Sequence, residues 1–170
     1  MTVGRCWPGR PRPLPDEIFS SWFVRVAGAN GLTAAELYGT LFPRALKRLS
    51  SDLYHVAPVD IVGALVAGTG LDEATVRSTT LAAWAGKIFD PEDVTFALHW
   101  LPPIGNDLSR QTFGQQFCPL CLAEDDVLIF RRRWRLKFVV ACAWGVLGRS
   151  LPRLQQAYSP DQAGPHPQAV

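Results

Sequence analysis

A mainly α protein is predicted: a helical domain with helix-turn-helix character, then a small β zinc-ribbon-like segment and a disordered tail. Three observations predict it. Apolar residues recur at helical spacing through the first hundred positions, in short stretches separated by proline and glycine. Cys118-Pro-Leu-Cys121 sets two sulfurs on one side of a tight knuckle, and Cys142 follows after twenty intervening residues, enough for a hairpin to bring it back. From Gly148 onward Gln, Pro, Ala and Ser replace any periodicity, as in a disordered tail.

Composition bounds the answer before any element is placed. A chain of 170 residues suits one domain or two small ones, and 48% hydrophobic content with six tryptophans can build a core. Net charge is only +2, but five of the 17 basic residues fall between Arg131 and Lys137, so positive charge is local. Four cysteines do not make a disulfide scaffold. The N-terminus has no apolar signal region, and no run reaches the roughly 18 apolar residues of a membrane span. The expected compartment is the reducing cytoplasm, without a membrane partner.

Residues 1–15 carry Pro8, Pro11, Pro13 and Pro15 and read as an extended lead-in, because proline fixes φ and removes donors. The helical domain is placed at 16–110. Asp16-Glu17 opens a helix at the positive end of its dipole, with Ile18, Trp22, Val26 and Ala29 on one face and Asn30-Gly31 as the stop. Thr33 caps a second helix, Ala34 to Leu41, ended by Pro43. A helix over 44–57 follows. Pro58 then starts another, Val59 to Ala67, with Ile61, Leu65 and Val66 inward. Gly68-Thr69-Gly70 breaks it, and Asp72 caps a helix running through Val76, Leu81 and Trp84. Pro91-Glu92-Asp93 reads as a further helix start and Pro102-Pro103 as its end. The ribbon is placed at 113–147 and the tail at 148–170.

Residues 26–37 and 65–76 look alike: an apolar helix end, a glycine turn, a capped helix. A helix-turn-helix has that cadence, and so do plain helix corners in small α domains.

In the ribbon, Trp134, Leu136 and Phe138 alternate with Arg133, Arg135 and Lys137, which predicts a strand with one apolar and one basic face. Arg131, Arg132, Arg133, Arg135 and Lys137 are candidate phosphate contacts, since clustered cations release counterions from nucleic acid. A solvated face neutralised by Glu124, Asp125 and Asp126 is the plain alternative. For Cys118, Cys121 and Cys142 a zinc site competes with a redox dithiol. The dithiol reading needs C-x-x-C at a helix N-terminus, whereas an acidic turn and a strand are predicted after these cysteines. Cys6 reads as a lead-in thiol, and His55 and His99 as ordinary helical histidines. No catalytic motif appears among the residues, so no enzymatic activity is predicted.

Three stretches, taken in order, resemble the TniQ family of bacterial transposition proteins. They are residues 13–27, with Glu17, Ser21-Trp22, Arg25 and Ala27; the Gly70-Leu71 turn reaching Thr80-Leu81; and Phe117-Cys-Pro-Leu-Cys-Leu-Ala-Glu-Asp125, continuing through Arg132-Arg-Trp-Arg-Leu136 to Cys142. The resemblance spans residues 13 to about 145. It implies a helical region joined to a zinc-binding ribbon. It also implies an accessory role in DNA transposition, linking target DNA or a CRISPR effector to an AAA+ ATPase and the transposase. A homodimer is compatible with it. From another class, the alternative is a helix-turn-helix transcriptional regulator with a zinc-stabilised arm.

Ribbons of that family continue Cys-x-x-His-Gly and then a second Cys-x-x-Cys. This chain has Cys142-Ala-Trp-Gly145 instead, which leaves three thiolates and an incomplete zinc site. Codons permitted for Ala143 through Gln155, read one base later, are able to spell a His-Gly and a Cys-x-x-Cys. The expectation is therefore a degenerate copy, truncated by a frameshift.

Overall fold

The computed structural model describes residues 6–42, 59–88, 90, 116–142, 145–146 and 148–149. The predicted helix over 44–57, the helix signals at Pro58, Pro91 and Pro102-Pro103, His55, His99 and the tail beyond 149 lie outside the described residues. The chain is mainly helical, with short strands beside the cysteines, as the sequence predicts.

Two helical corners form the larger part. Helix α1 spans Phe19–Ala29 and α2 spans Ala34–Leu41; α3 spans Val59–Thr69 and α4 spans Glu73–Ser78. Both corners are built from the same parts. Gly31 (φ 71°) and Gly70 (φ 73°) take the left-handed conformation that ends a helix cheaply only without a Cβ. Thr33 and Glu36 then close a reciprocal capping box on α2. The Asp72 carboxylate accepts from the Thr75 backbone N–H at 2.8 Å to start α4. The sequence likeness of 26–37 to 65–76 is thus a likeness of structure.

The apolar faces meet in one core of Trp22, Val26, Leu37, Tyr38, Ile61, Leu65 and Val76, with Val66 and Trp7 packed against it. Each side chain removed from water there contributes about 1.5–3 kcal/mol. The predicted inward residues Trp22, Val26, Ile61, Leu65 and Leu81 are buried, while Trp84 is half-buried.

Helix α1 differs from its prediction at both ends. It begins at Phe19 rather than at Asp16-Glu17. Asp16 is left-handed (φ 61°), and Glu17 turns inward. The Glu17 carboxylate accepts from the Leu14 N–H at 2.9 Å, the Ser21 hydroxyl at 3.1 Å and the Arg25 guanidinium at 2.6 Å. At the other end Ala29 is exposed, and the Asn30 amide donates to the Val26 and Gly9 carbonyls. Helix α4 stops at Ser78 instead of running to Trp84. The Thr79 and Thr80 hydroxyls bond back to the Val76 and Arg77 carbonyls, and the chain restarts as a 3-10 turn, Leu81–Trp84.

Residues 6–15 of the lead-in are docked on the helices. The Trp7 N–H donates to the Gly68 carbonyl at 2.7 Å, its ring lies where a Cβ on Gly68 would sit, and Gly9 is held by the Asn30 side chain. The Trp22 indole donates to the Pro11 carbonyl at 2.8 Å. One segment therefore fastens both helical corners.

The cysteine-bearing part comprises β1 (Gln116–Phe117), α5 (Pro119–Glu124), a 3-10 turn (Arg132–Arg135), β2 (Ala141–Cys142), β3 (Gly145–Val146) and β4 (Gly148–Arg149). β1 pairs antiparallel with β4, and β2 with β3. β4 lies within the segment read as tail. The predicted strand through Trp134, Leu136 and Phe138 is absent: the 3-10 turn replaces it, closed by Trp134 N–H to Arg131 and Leu136 N–H to Arg133. Trp134 and Leu136 are buried as expected, but Arg135 is buried with them and Phe138 is exposed. A period-two pattern does not survive because the run is pulled into a turn by bonds to the helical part.

Those bonds join the two parts. Glu17 and Arg131 form an antiparallel bridge, the Ile18 N–H donates to Phe130, and the Arg132 N–H donates to Asp16, the last two at 2.8 Å. Leu81 and Leu136 share a small cluster with Trp84 and Val139.

Candidate metal centre and basic cluster

Cys118 stands between β1 and α5, Cys121 one turn into α5, and Cys142 at the end of β2 beside its hairpin turn. Pro119 at the first helical position is what bends the chain from strand to helix, because its ring pre-sets φ and needs no hydrogen-bond acceptor. The C-x-x-C therefore begins a short helix, where a tight knuckle leading into an acidic turn was predicted. A helix start is the feature a redox dithiol requires, but the βαβ surroundings are lacking among the described residues.

The fold brings all three cysteines together. Cys142 Sγ lies 3.0 Å from Cys118 Sγ and 3.6 Å from Cys121 Sγ, and the three sulfurs fall within 4.8 Å of one another. A tetrahedral zinc with about 2.3 Å bonds sets its sulfurs about 3.8 Å apart, so these sulfurs match three corners with small adjustments. Among the described residues no other Cys, His, Asp or Glu joins the cluster. Burial, followed by the neighbouring Cys142 and Cys118, pushes the Cys121 thiol up to about 11. A bound cation reverses that preference by stabilising thiolate. Trp134 packs on Cys118 and Cys121 and walls the cluster, and Phe117, Leu122, Phe130 and Val139 complete the wall. With its amide oriented to donate, Gln116 holds the Trp134 and Leu136 carbonyls. Cys6 is an exposed free thiol beside Gly70.

The five basic residues have unequal surroundings. Arg131 pairs with Asp125 at 2.5 Å and lies over the Trp134 ring. Arg132 reaches Asp16 at 3.5 Å, the Ser78 carbonyl and the Trp84 ring. Arg133 meets Asp16 at 3.2 Å with about half its side chain exposed. Arg135 is buried, and Lys137 is exposed. Sequence reasoning named Asp125 as a neutralising group but missed Asp16, which it assigned to a helix start. Burial raises the Asp16 carboxyl pKa, while Arg133, Arg132 and Arg131 act to lower it.

The sequence model of the TniQ family matches residues 8–143. That span takes in the lead-in from Pro8, both corners and all three clustered cysteines. The chain belongs to the TniQ family. Its role is accordingly an accessory one associated with transposition. No curated protein and no solved structure matches the chain. No described helix of this TniQ protein is long and apolar enough to cross a membrane.

Proposed function

We propose that this TniQ protein helps select the transposition target by linking DNA, or a CRISPR effector carrying it, to the transposon's AAA+ ATPase and through it to the transposase. The family match over residues 8–143 carries the proposal. Zinc held by Cys118, Cys121 and Cys142 serves as a structural cross-link between the β1–α5 corner and the β2–β3 hairpin. It sets in place the turn that bears the arginines. Arg131, Arg132 and Arg135 shape that surface, and Arg133 and Lys137 present charge to a phosphate backbone.

A helix-turn-helix regulator would read bases with α2 or α4. Their exposed positions are Ala35, Glu36 and Thr40 on α2 and Glu73, Ala74 and Ser78 on α4. These two faces carry acidic and small residues, and the one arginine on α4, Arg77, is held by Glu73, whereas base readers are rich in Arg, Lys, Asn and Gln. The transposition reading is therefore preferred.

The test is recruitment of a transposon AAA+ ATPase to duplex DNA, measured with and without the chain. Recruitment that depends on the chain supports the linking role. Specific footprinting on an upstream operator, with no effect on the ATPase, would transfer the chain to the regulator class.

A further inference from the structure

We propose that the cysteine cluster is also an oxidation site, at which a peroxide converts Cys118 and Cys142 into a reversible disulfide that excludes metal. Exposure and distance assign the parts. Cys118 and Cys121 are buried, and Cys142 is the half-buried member that solvent reaches. The Cys118 sulfur is the nearer of its two neighbours, at 3.0 Å against 3.6 Å for Cys121.

The chemistry balances in two steps. The Cys142 thiolate attacks one peroxide oxygen, the O–O bond breaks, hydroxide leaves, and a sulfenic acid forms on Cys142. The Cys118 thiolate then attacks that sulfur, the S–O bond breaks, and the second oxygen leaves as hydroxide, which takes up a proton to become water. The thiol pair loses two electrons and the peroxide is reduced to two waters. Cys121 is left as a single thiol, too few donors for a metal.

The disulfide joins the same elements that a metal would join, the β1–α5 corner and the β2 hairpin. Oxidation therefore exchanges one cross-link for another between the same elements. Among the described residues the cluster has three ligands, which suits this exchange, since an oxidant approaching Cys142 displaces none of them. The proposal does not rest on zinc being the resident ion.

The experiment uses the full chain, stripped of metal by a chelator, with stoichiometric hydrogen peroxide. After an acid quench and alkylation, tryptic peptides are mapped by mass. The expected product links Cys118 to Cys142, leaves Cys6 and Cys121 alkylated, and disappears on adding dithiothreitol. The Cys6→Ser variant should give the link at parental yield, the Cys121→Ser variant should still give it, and the Cys142→Ser variant none. A dominant Cys118–Cys121 link, a dimer through Cys6, or sulfinic acid at Cys142 with no linked peptide would overturn the proposal. The parental map decides it even if a variant does not fold.

Discussion

Glu17 shows how one residue can hold a junction. Its buried carboxylate satisfies a backbone N–H, a hydroxyl and a guanidinium at the point where α1 meets the cysteine-bearing part. Glu17→Ala should cost about 3 kcal/mol in chemical denaturation, the low end for a broken buried pair because Arg25 can rehydrate. Trp22 is wholly buried and also donates to Pro11, so Trp22→Ala should cost about 3–5 kcal/mol. Unchanged melting of Trp22→Ala would remove that residue from the core. Asp16 behaves oppositely. A carboxyl whose pKa is raised by folding binds its proton more tightly in the native state. Its ionisation therefore erodes stability as pH climbs from 3.8 through the raised value. Asp16→Asn keeps a residue tolerant of the left-handed backbone and removes the charge. Its stability relative to the parent should rise with pH across that window. A relative loss with rising pH would show that the arginines outweigh burial.

At the scale of elements, the lead-in and the arginine turn make different demands. A methyl group on Gly68 would sit 2.3 Å from the Trp7 ring, so Gly68→Ala should displace the lead-in. The cost should be about 1–3 kcal/mol, the usual range for overpacking, with faster proteolysis before residue 16. Cleavage at the parental rate would mean the lead-in is not clamped there. The arginine turn was legible as charge but not as geometry. Alternation at 133–138 suggested a strand, yet bonds from Arg132 to Asp16 and Ser78 wind it into a turn. Replacing Arg133 and Lys137 with alanine should flatten the log–log salt slope of DNA binding by about 1.8, at about 0.9 per phosphate contact. An unaltered slope would remove both from the interface.

For the whole molecule, the three-cysteine cluster is where a metal would act. Three thiols must lose protons to bind zinc, and the Cys121 thiol stands at about 11 without it, so zinc affinity should rise with pH. Competitive chelator titration in reducing buffer measures this directly. The chain should hold zinc less tightly than a variant in which His-Gly replaces Ala143-Trp144. Equal, chelator-resistant zinc in both would mean that a fourth ligand comes from elsewhere in the chain. Zinc at 100 times its dissociation constant would add about 2.7 kcal/mol of stability, readable as a melting shift lost in Cys118→Ser.

The sequence alone determined the helical corners, their caps and the convergence of the three cysteines. The corners, the caps and the Cys118/Cys121 pair are written locally. Gly31 and Gly70 supply a backbone angle, Thr33 and Asp72 supply cap oxygens, and the C-x-x-C spacing sets two sulfurs a helical turn apart. Tertiary structure alone decided where the charges go. Asp16 and Glu17 had the composition of a helix start, and the arginine run that of an alternating strand, until each met the other. Ion pairs between residues more than a hundred positions apart leave no periodic trace in sequence. Their energy depends on desolvation and distance, and both exist only once the chain has folded.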